Sequence, residues 1–308
     1  MANITAKDVA ELREMTSCGM MDCKRALVKA DGNKEEAVKI LREMGLAKSA
    51  KKAGRIAAEG VVNAKVVGNK GVIVEINCET DFCAKSDKFL EFVSVITDTI
   101  LNCDAADVEA LADVTAAGTS MKVSELVTEK IATIGENLKI RRFTRMEGTL
   151  VPYIHDGGRL GTLVKVATDK PTDEAVLKAA KNAALQITAL NAQYTCPEAV
   201  PADVVANEKE VQLNILKKEN AESPKPKPEN ILEKIVEGRM RKFFEEVCLS
   251  EQEYFLDNTM TVGKYLASVA KETGATLSID SFVRYERGEG IEKKQDDFAA
   301  EVAAMAKG

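Results

Sequence analysis

The strongest constraint on this chain is a device that occurs twice. "VVNAKVVGNKGVIVEI" (61–76) reads as two β-branched strands around a Gly68 to Gly71 turn, and "TLVPYIHDGGRLGTLVKV" (149–166) repeats the pattern with its turn at Asp156 to Gly158. Each hairpin is followed by a stretch with helical apolar spacing, "SDKFLEFVSVITDTI" and "TDEAVLKAAKNAALQI". Each half then closes on a late strand of similar composition, "IRRFTRMEG" (140–148) and "SFVRYERGEG" (281–290). The pattern predicts an internal duplication: two small antiparallel sheets, each with helices on one face, in an α+β fold.

Other segments sit around this core. Residues 5 to 45 predict three short helices, with Thr5/Asp8 and Asn33/Glu36 as capping pairs and a turn at Asp31 and Gly32. Their expected apolar faces are Val9, Leu12, Leu27, Val28, Val38 and Leu41. The second copy of the core is interrupted from Pro201 by two helical patterns of about 20 residues on either side of "PKPKP" (224–228), which predicts an antiparallel, coiled-coil-like arm about 30 Å long. A last helical stretch, "IEKKQDDFAAEVAAMAKG", ends the sequence. The expected units are a three-helix domain at 1–54, a first core subdomain at 55–148, a second at 149–200 and 253–290, the arm at 201–252 and a C-terminal helical module at 291–308.

Composition narrows the chemistry. The 308 residues are 45% hydrophobic and 30% charged, as in ordinary folded proteins. A formal charge of −6 gives no long-range attraction for nucleic acid, so no direct nucleic-acid binding is expected. The lysines and arginine of "AKSAKKAGRIAAEG" (47–60) are diluted by alanine and suit a solvated hinge or a patch for an acidic partner. No window approaches the roughly 20 apolar residues of a membrane span, and the opening residues lack a charged-then-apolar leader. A cytoplasmic protein without membrane contact is therefore expected. Seven cysteines suit free thiols in a reducing compartment. Cys18/Cys23 and Cys78/Cys83 are each five apart, which is not zinc-knuckle spacing, and no metal site or cofactor is expected.

Catalytic signatures are missing. There is no phosphate-binding G-x-x-x-x-G-K-[ST] loop and no G-x-G-x-x-G after a strand; "GGRLGT" (157–162) has the wrong spacing. The single histidine, His155, could serve as a general base, but neither a nucleophile nor an orienting carboxylate is tied to it in sequence. The feature that asks for an explanation is "ETDFCAK" (79–85), a turn between a buried strand and a helix that carries a large aromatic, Phe82, beside a charge, Asp81. Neither residue gains by burial in its own core, which points to a partner.

Several segments resemble bacterial translation elongation factor Ts. They are "LREMTSCGMMDCKRAL" (12–27), "EINCETDFCAK" (75–85), "IGENLKIRR", "HDGGRLG", "KIVEGRMRKF" and "GEGIEKKQDDFAAEVAAM", in order and across nearly the whole chain. Departures include Cys83, where an aliphatic is usual, and longer turns at His155 and at the arm tip. The resemblance implies a non-enzymatic guanine-nucleotide exchange factor for elongation factor Tu. It also implies that Thr80, Asp81, Phe82 and Cys83 form the segment that wedges between helices of that GTPase and dislodges its magnesium ion. Ile134 and His155 match further partner-contact positions, and Lys52 is expected to be another. The arm makes a homodimer a further expectation. Two other readings compete: an adaptor whose arm only oligomerises, and a thiol or metal enzyme using Cys78, Cys83 and His155.

Overall fold

The computed structural model describes residues 4–16, 18–223 and 226–292. Beyond residue 292, the helical module expected at 291–308 lies outside the described residues. Three helices come first: α1 (Ala6–Thr16), α2 (Met20–Lys29) and α3 (Lys34–Lys52). Thr5 and Asp8 cap α1 reciprocally, the Asp8 amide donating to Thr5 Oγ1 and the Thr5 amide to the Asp8 carboxylate. Asn33 accepts from the Glu36 amide at 3.0 Å to start α3. Val9, Leu12, Leu27 and Leu41 are buried as the spacing predicts, with Cys23, Ala26 and Ala37 between them. Val28 and Val38 are exposed, contrary to expectation. The inward stripe of α2 is Cys23, Ala26 and Leu27, and Val28 lies one helical step (about 100°) beyond it. Val38 lines a groove of about 650 Å³ between α3 and the later helix at 123–134.

The first sheet has the order β1-β2-β3, built from β1 (Glu59–Val67), β2 (Lys70–Cys78) and β3 (Lys139–Glu147). Between β2 and β3 run α4 (Asp81–Ala84), α5 (Asp87–Leu101), α6 (Val108–Leu111) and α7 (Val123–Ile134). The second sheet repeats the order: β4 (Thr149–His155), β5 (Leu160–Ala167) and, much later, β8 (Ser278–Glu286). Its helix α8 (Glu174–Leu190) follows the hairpin directly. All pairings within these two sheets are antiparallel. The central strands match in detail. Gly71 and Gly161 are each second in their strand, and four residues after each the pairing to the late strand shifts at a bulge, Glu75/Ile76 and Lys165/Val166.

Strand β2 is buried from Gly71 to Cys78 because both of its faces are covered. Val72, Val74, Ile76 and Cys78 face α5, whose Phe89, Phe92, Val93, Ile96 and Ile100 complete that core. Ile73 faces the other way, packing with Val62, Leu150, Leu163 and Tyr285 where the two sheets meet. The sheets approach closely at the two matched glycines. A Cβ on Gly71 would meet Leu150 Cδ1 at 2.7 Å, and one on Gly161 would meet Val62 Cγ1 at 2.5 Å. In the second half, alanines 179, 180, 183 and 184 and Ile187 bring α8 against Val151, Val164 and Val166.

One buried charge ties these layers. Glu75, fully buried, accepts from Arg141 Nη1 at 2.9 Å, Arg142 Nε at 2.7 Å, Asn77 Nδ2 at 3.2 Å and the Gly288 amide at 2.8 Å. Arg142 also lies over the Tyr285 ring at 4.2 Å, so the end of β8 is clasped to the first sheet.

The arm is α9 (Ala202–Ala221) and α10 (Glu229–Val247), each spanning about 30 Å. Leu216, Leu232, Val236 and Met240 fill the seam between them, and Arg239 bridges to Glu219 at 2.7 Å. The chain returns through β6 (Glu253–Tyr254), β7 (Asp257–Thr261) and α11 (Val262–Thr273) to β8.

Candidate functional site

At the end of β2 the chain leaves the core and turns. Thr80 caps α4, its hydroxyl accepting from the Cys83 amide at 3.1 Å, and the single helical turn carries Phe82 outward. Phe82 is 83% exposed, the largest exposure of any described large apolar side chain. Immediately after it, Cys83 and Ala84 are buried and anchor the turn. Asp81 reaches back to Lys85 at 2.9 Å, and this contact holds its carboxyl below the usual carboxylate range.

The turn is braced by a segment distant in sequence. One Glu136 carboxylate oxygen accepts from the amides of Glu79 and Thr80, both at 3.0 Å, and the other accepts from Thr80 Oγ1 at 2.6 Å. The brace is reciprocal, since Glu79 accepts from the Asn137 amide at 2.6 Å. Asn137 Nδ2 donates to the Arg55 carbonyl at 2.8 Å, and Arg55 pairs with Glu79 at 3.4 Å. Three strands of chain therefore fix one loop: the segment after α3, the end of β2 and the segment after α7. The reading of the sequence named none of these bracing residues. Glu136 and Asn137 did fall inside the quoted "IGENLKIRR", where two polar residues follow a helix-ending Gly135 in the left-handed conformation (φ 94°).

Of the other expected contact residues, Ile134 closes α7 half-buried against the first core. Lys52, at the end of α3, has its Nζ 4.0 Å from the position a Gly135 side chain would take. Partial burial, then the Arg55 charge, push its ammonium below the usual range. Thr80, Asp81, Phe82, Cys83, Ile134 and Lys52 are thus gathered around the two glutamates. His155 belongs to the other sheet. It is exposed at the end of β4, where its Nδ1 lies 3.2 Å from the Tyr153 hydroxyl, beside a cleft of about 300 Å³ whose lining includes Asp156, Arg159 and Arg284.

The two thiols suggested for enzyme chemistry do meet, but without His155. Cys78 and Cys83 converge with Glu136 instead. Hydrogen bonding to Cys83, reinforced by burial, pushes the Cys78 thiol far up, which leaves it protonated and a poor nucleophile.

The fold and the site define a class: a protein of mixed α+β architecture that carries an exposed aromatic on a turn braced by a segment distant in sequence. Comparison with known proteins makes this specific. The family description "Elongation factor TS" matches residues 79–289. Elongation factor Ts of Syntrophotalea carbinolica is 48% identical over 307 residues, covering 99% of both chains. The proteins of the same name from Symbiobacterium thermophilum and Nautilia profundicola are each 47% identical, again over 99% of both chains. The chain belongs to the elongation factor Ts family.

Proposed function

We propose that the chain is a cytoplasmic guanine-nucleotide exchange factor for elongation factor Tu, and that Phe82 is its wedge. The observation that carries the reading is a phenylalanine 83% exposed on a turn whose backbone is held from three sides. An aromatic left in water is costly only if no partner covers it, and a rigid mount removes the ordering cost that a flexible loop would meet on binding. Thr80, Asp81 and Cys83 shape the mount; Lys52 and Ile134 flank it; His155 contacts the GTPase from the second sheet.

The GTPase holds its nucleotide through a magnesium ion that bridges the phosphates and neutralises their charge. A side chain driven between the elements that hold this ion leaves the phosphates poorly screened, and GDP departs. Burying one Phe supplies about 1.5 to 3 kcal/mol, which at 1.4 kcal/mol per tenfold corresponds to roughly 10- to 150-fold. Larger accelerations come from the rest of the interface. Coupling is reciprocal, so bound nucleotide with magnesium weakens the exchange factor by the same factor and GTP expels it.

The test is stopped-flow release of fluorescent GDP from elongation factor Tu with magnesium present. The wild-type chain should accelerate release, and Phe82→Ala should lose between one and two decades of that acceleration with its thermal melt unchanged. Acceleration that ignores Phe82 removes the wedge and leaves the exchange role on the wider interface; no acceleration removes both. A second reading, a homodimer through the arm, is supported by Val211 and Ile215, both exposed and one helical turn apart on α9.

No helix among the described residues is long and apolar enough to cross a membrane.

A further inference from the structure

Beneath the Phe82 turn, three metal-ligating side chains converge. The Sγ atoms of Cys78 and Cys83 and a carboxylate oxygen of Glu136 all lie within 4.8 Å of one another, and no other such group of three occurs among the described residues. The donors come from separate elements: Cys78 ends β2, Cys83 lies in α4, and Glu136 follows α7. Both cysteines are buried and Glu136 is partly exposed, so the cluster opens to solvent on the carboxylate side.

We propose that Cys78, Cys83 and Glu136 form a binding site for a thiophilic divalent cation, of which zinc is the biological example. Two sulfurs and one carboxylate suit a tetrahedral ion with thiolate affinity and exclude the six or more oxygens that calcium or magnesium requires. Metal bonds of about 2.0 to 2.3 Å place tetrahedral donors roughly 3.5 to 3.8 Å apart, so the cluster needs an inward shift of about 1 Å.

The carboxylate is also oriented for the task. It has about four lone-pair directions, and three accept from the Glu79 amide, the Thr80 amide and the Thr80 hydroxyl. One remains, so an ion can be held with the brace intact, and the three donors act as outer-shell supports of the ligand. The Thr80 carbonyl, 3.2 Å from Cys78 Sγ, stands beside the fourth position, which it or a water would fill. Binding exchanges two thiol protons, released to solvent, for two metal–thiolate bonds. Since up to two protons leave when the ion binds, affinity rises with pH, by up to about a hundredfold per unit. The consequence is a second, metal-dependent lock on the same turn.

The experiment is a cobalt(II) titration of the reduced full-length protein, with zinc as the displacing ion. One equivalent should produce thiolate-to-cobalt charge-transfer absorption and tetrahedral visible bands that zinc abolishes. Cys83→Ala should remove the spectrum, and Glu136→Gln should weaken binding at least tenfold. Cys83→Ser, closer in size, replaces the alanine variant if circular dichroism shows that one unfolded. The proposal is overturned if no charge-transfer absorption develops, or if it survives in the folded Cys83 variant and so arises from other cysteines.

Discussion

Replacing Glu136 by alanine separates the mount of Phe82 from Phe82 itself. The substitution deletes three hydrogen bonds to the turn, from the amides of Glu79 and Thr80 and from the Thr80 hydroxyl. Thr80 is exposed, so the freed donors recover water, and each bond is worth about 1 kcal/mol rather than its full desolvation value. The local loss is therefore about 3 kcal/mol at most, equivalent to a roughly hundredfold rise in the open population of the turn. Glu79 still accepts from Asn137, and Cys83 and Ala84 stay buried, so the turn loosens without detaching. Hydrogen exchange should show the amides of Thr80 and Cys83 unprotected by up to that factor, with β2 unchanged over Val72 to Ile76. On the proposed wedge role, stimulated GDP release should fall because Phe82 must be ordered on contact. In the Phe82→Ala background, Glu136→Ala should cost little more, since there is no wedge left to position. Unchanged protection at residues 80–83, or fully additive losses in the double variant, would refute the bracing argument.

Three further outcomes follow from other contacts. Glu75→Gln keeps the volume but places an amide donor against Arg141 or Arg142; breaking a buried pair costs about 3 to 5 kcal/mol, read as a lower urea midpoint with an unchanged slope. Asp22 bridges α2 to α3 through Lys48, the first cause of its lowered carboxyl pKa. A depressed folded pKa stabilises above the unfolded value of about 3.9 and is lost as pH falls through the folded one. The gap in melting temperature between wild type and Asp22→Asn should accordingly be present at pH 7, reflect about 1 kcal/mol or less, and narrow as the pH falls below about 4. Val211→Asp with Ile215→Asp should convert an arm-mediated dimer to monomer by light scattering; a wild-type chain that is already monomeric at high concentration removes the dimer reading.

The parts of this fold legible in the sequence are those whose signal is local. Strand alternation, the Gly68 and Asp156 turns and the Asn33 cap each act within a few residues, so hairpins and helices could be read from short windows. The exposed aromatic was legible for a different reason: Phe82 stands out because it breaks the rule that large aromatics are buried, and its neighbours supply no reason for the break. What holds the Phe82 turn was hidden, since Glu136 reaches Thr80 across 56 residues of chain and a glutamate after a helix looks like any solvated charge. The same applies to Glu75, whose position in an apolar strand is explained only by arginines 66 and 67 residues away. Val28 shows the converse error: apolar identity suggested core, but helix phase placed it outside. Cys78 and Cys83 combine both cases. Their spacing carried no metal signature, because the donor that completes the group lies on the far side of the first subdomain in sequence and arrives only when α7 and β3 close over the end of β2. Long-range polar partners therefore set the geometry of the site, while local apolar periodicity sets the scaffold that brings them within reach.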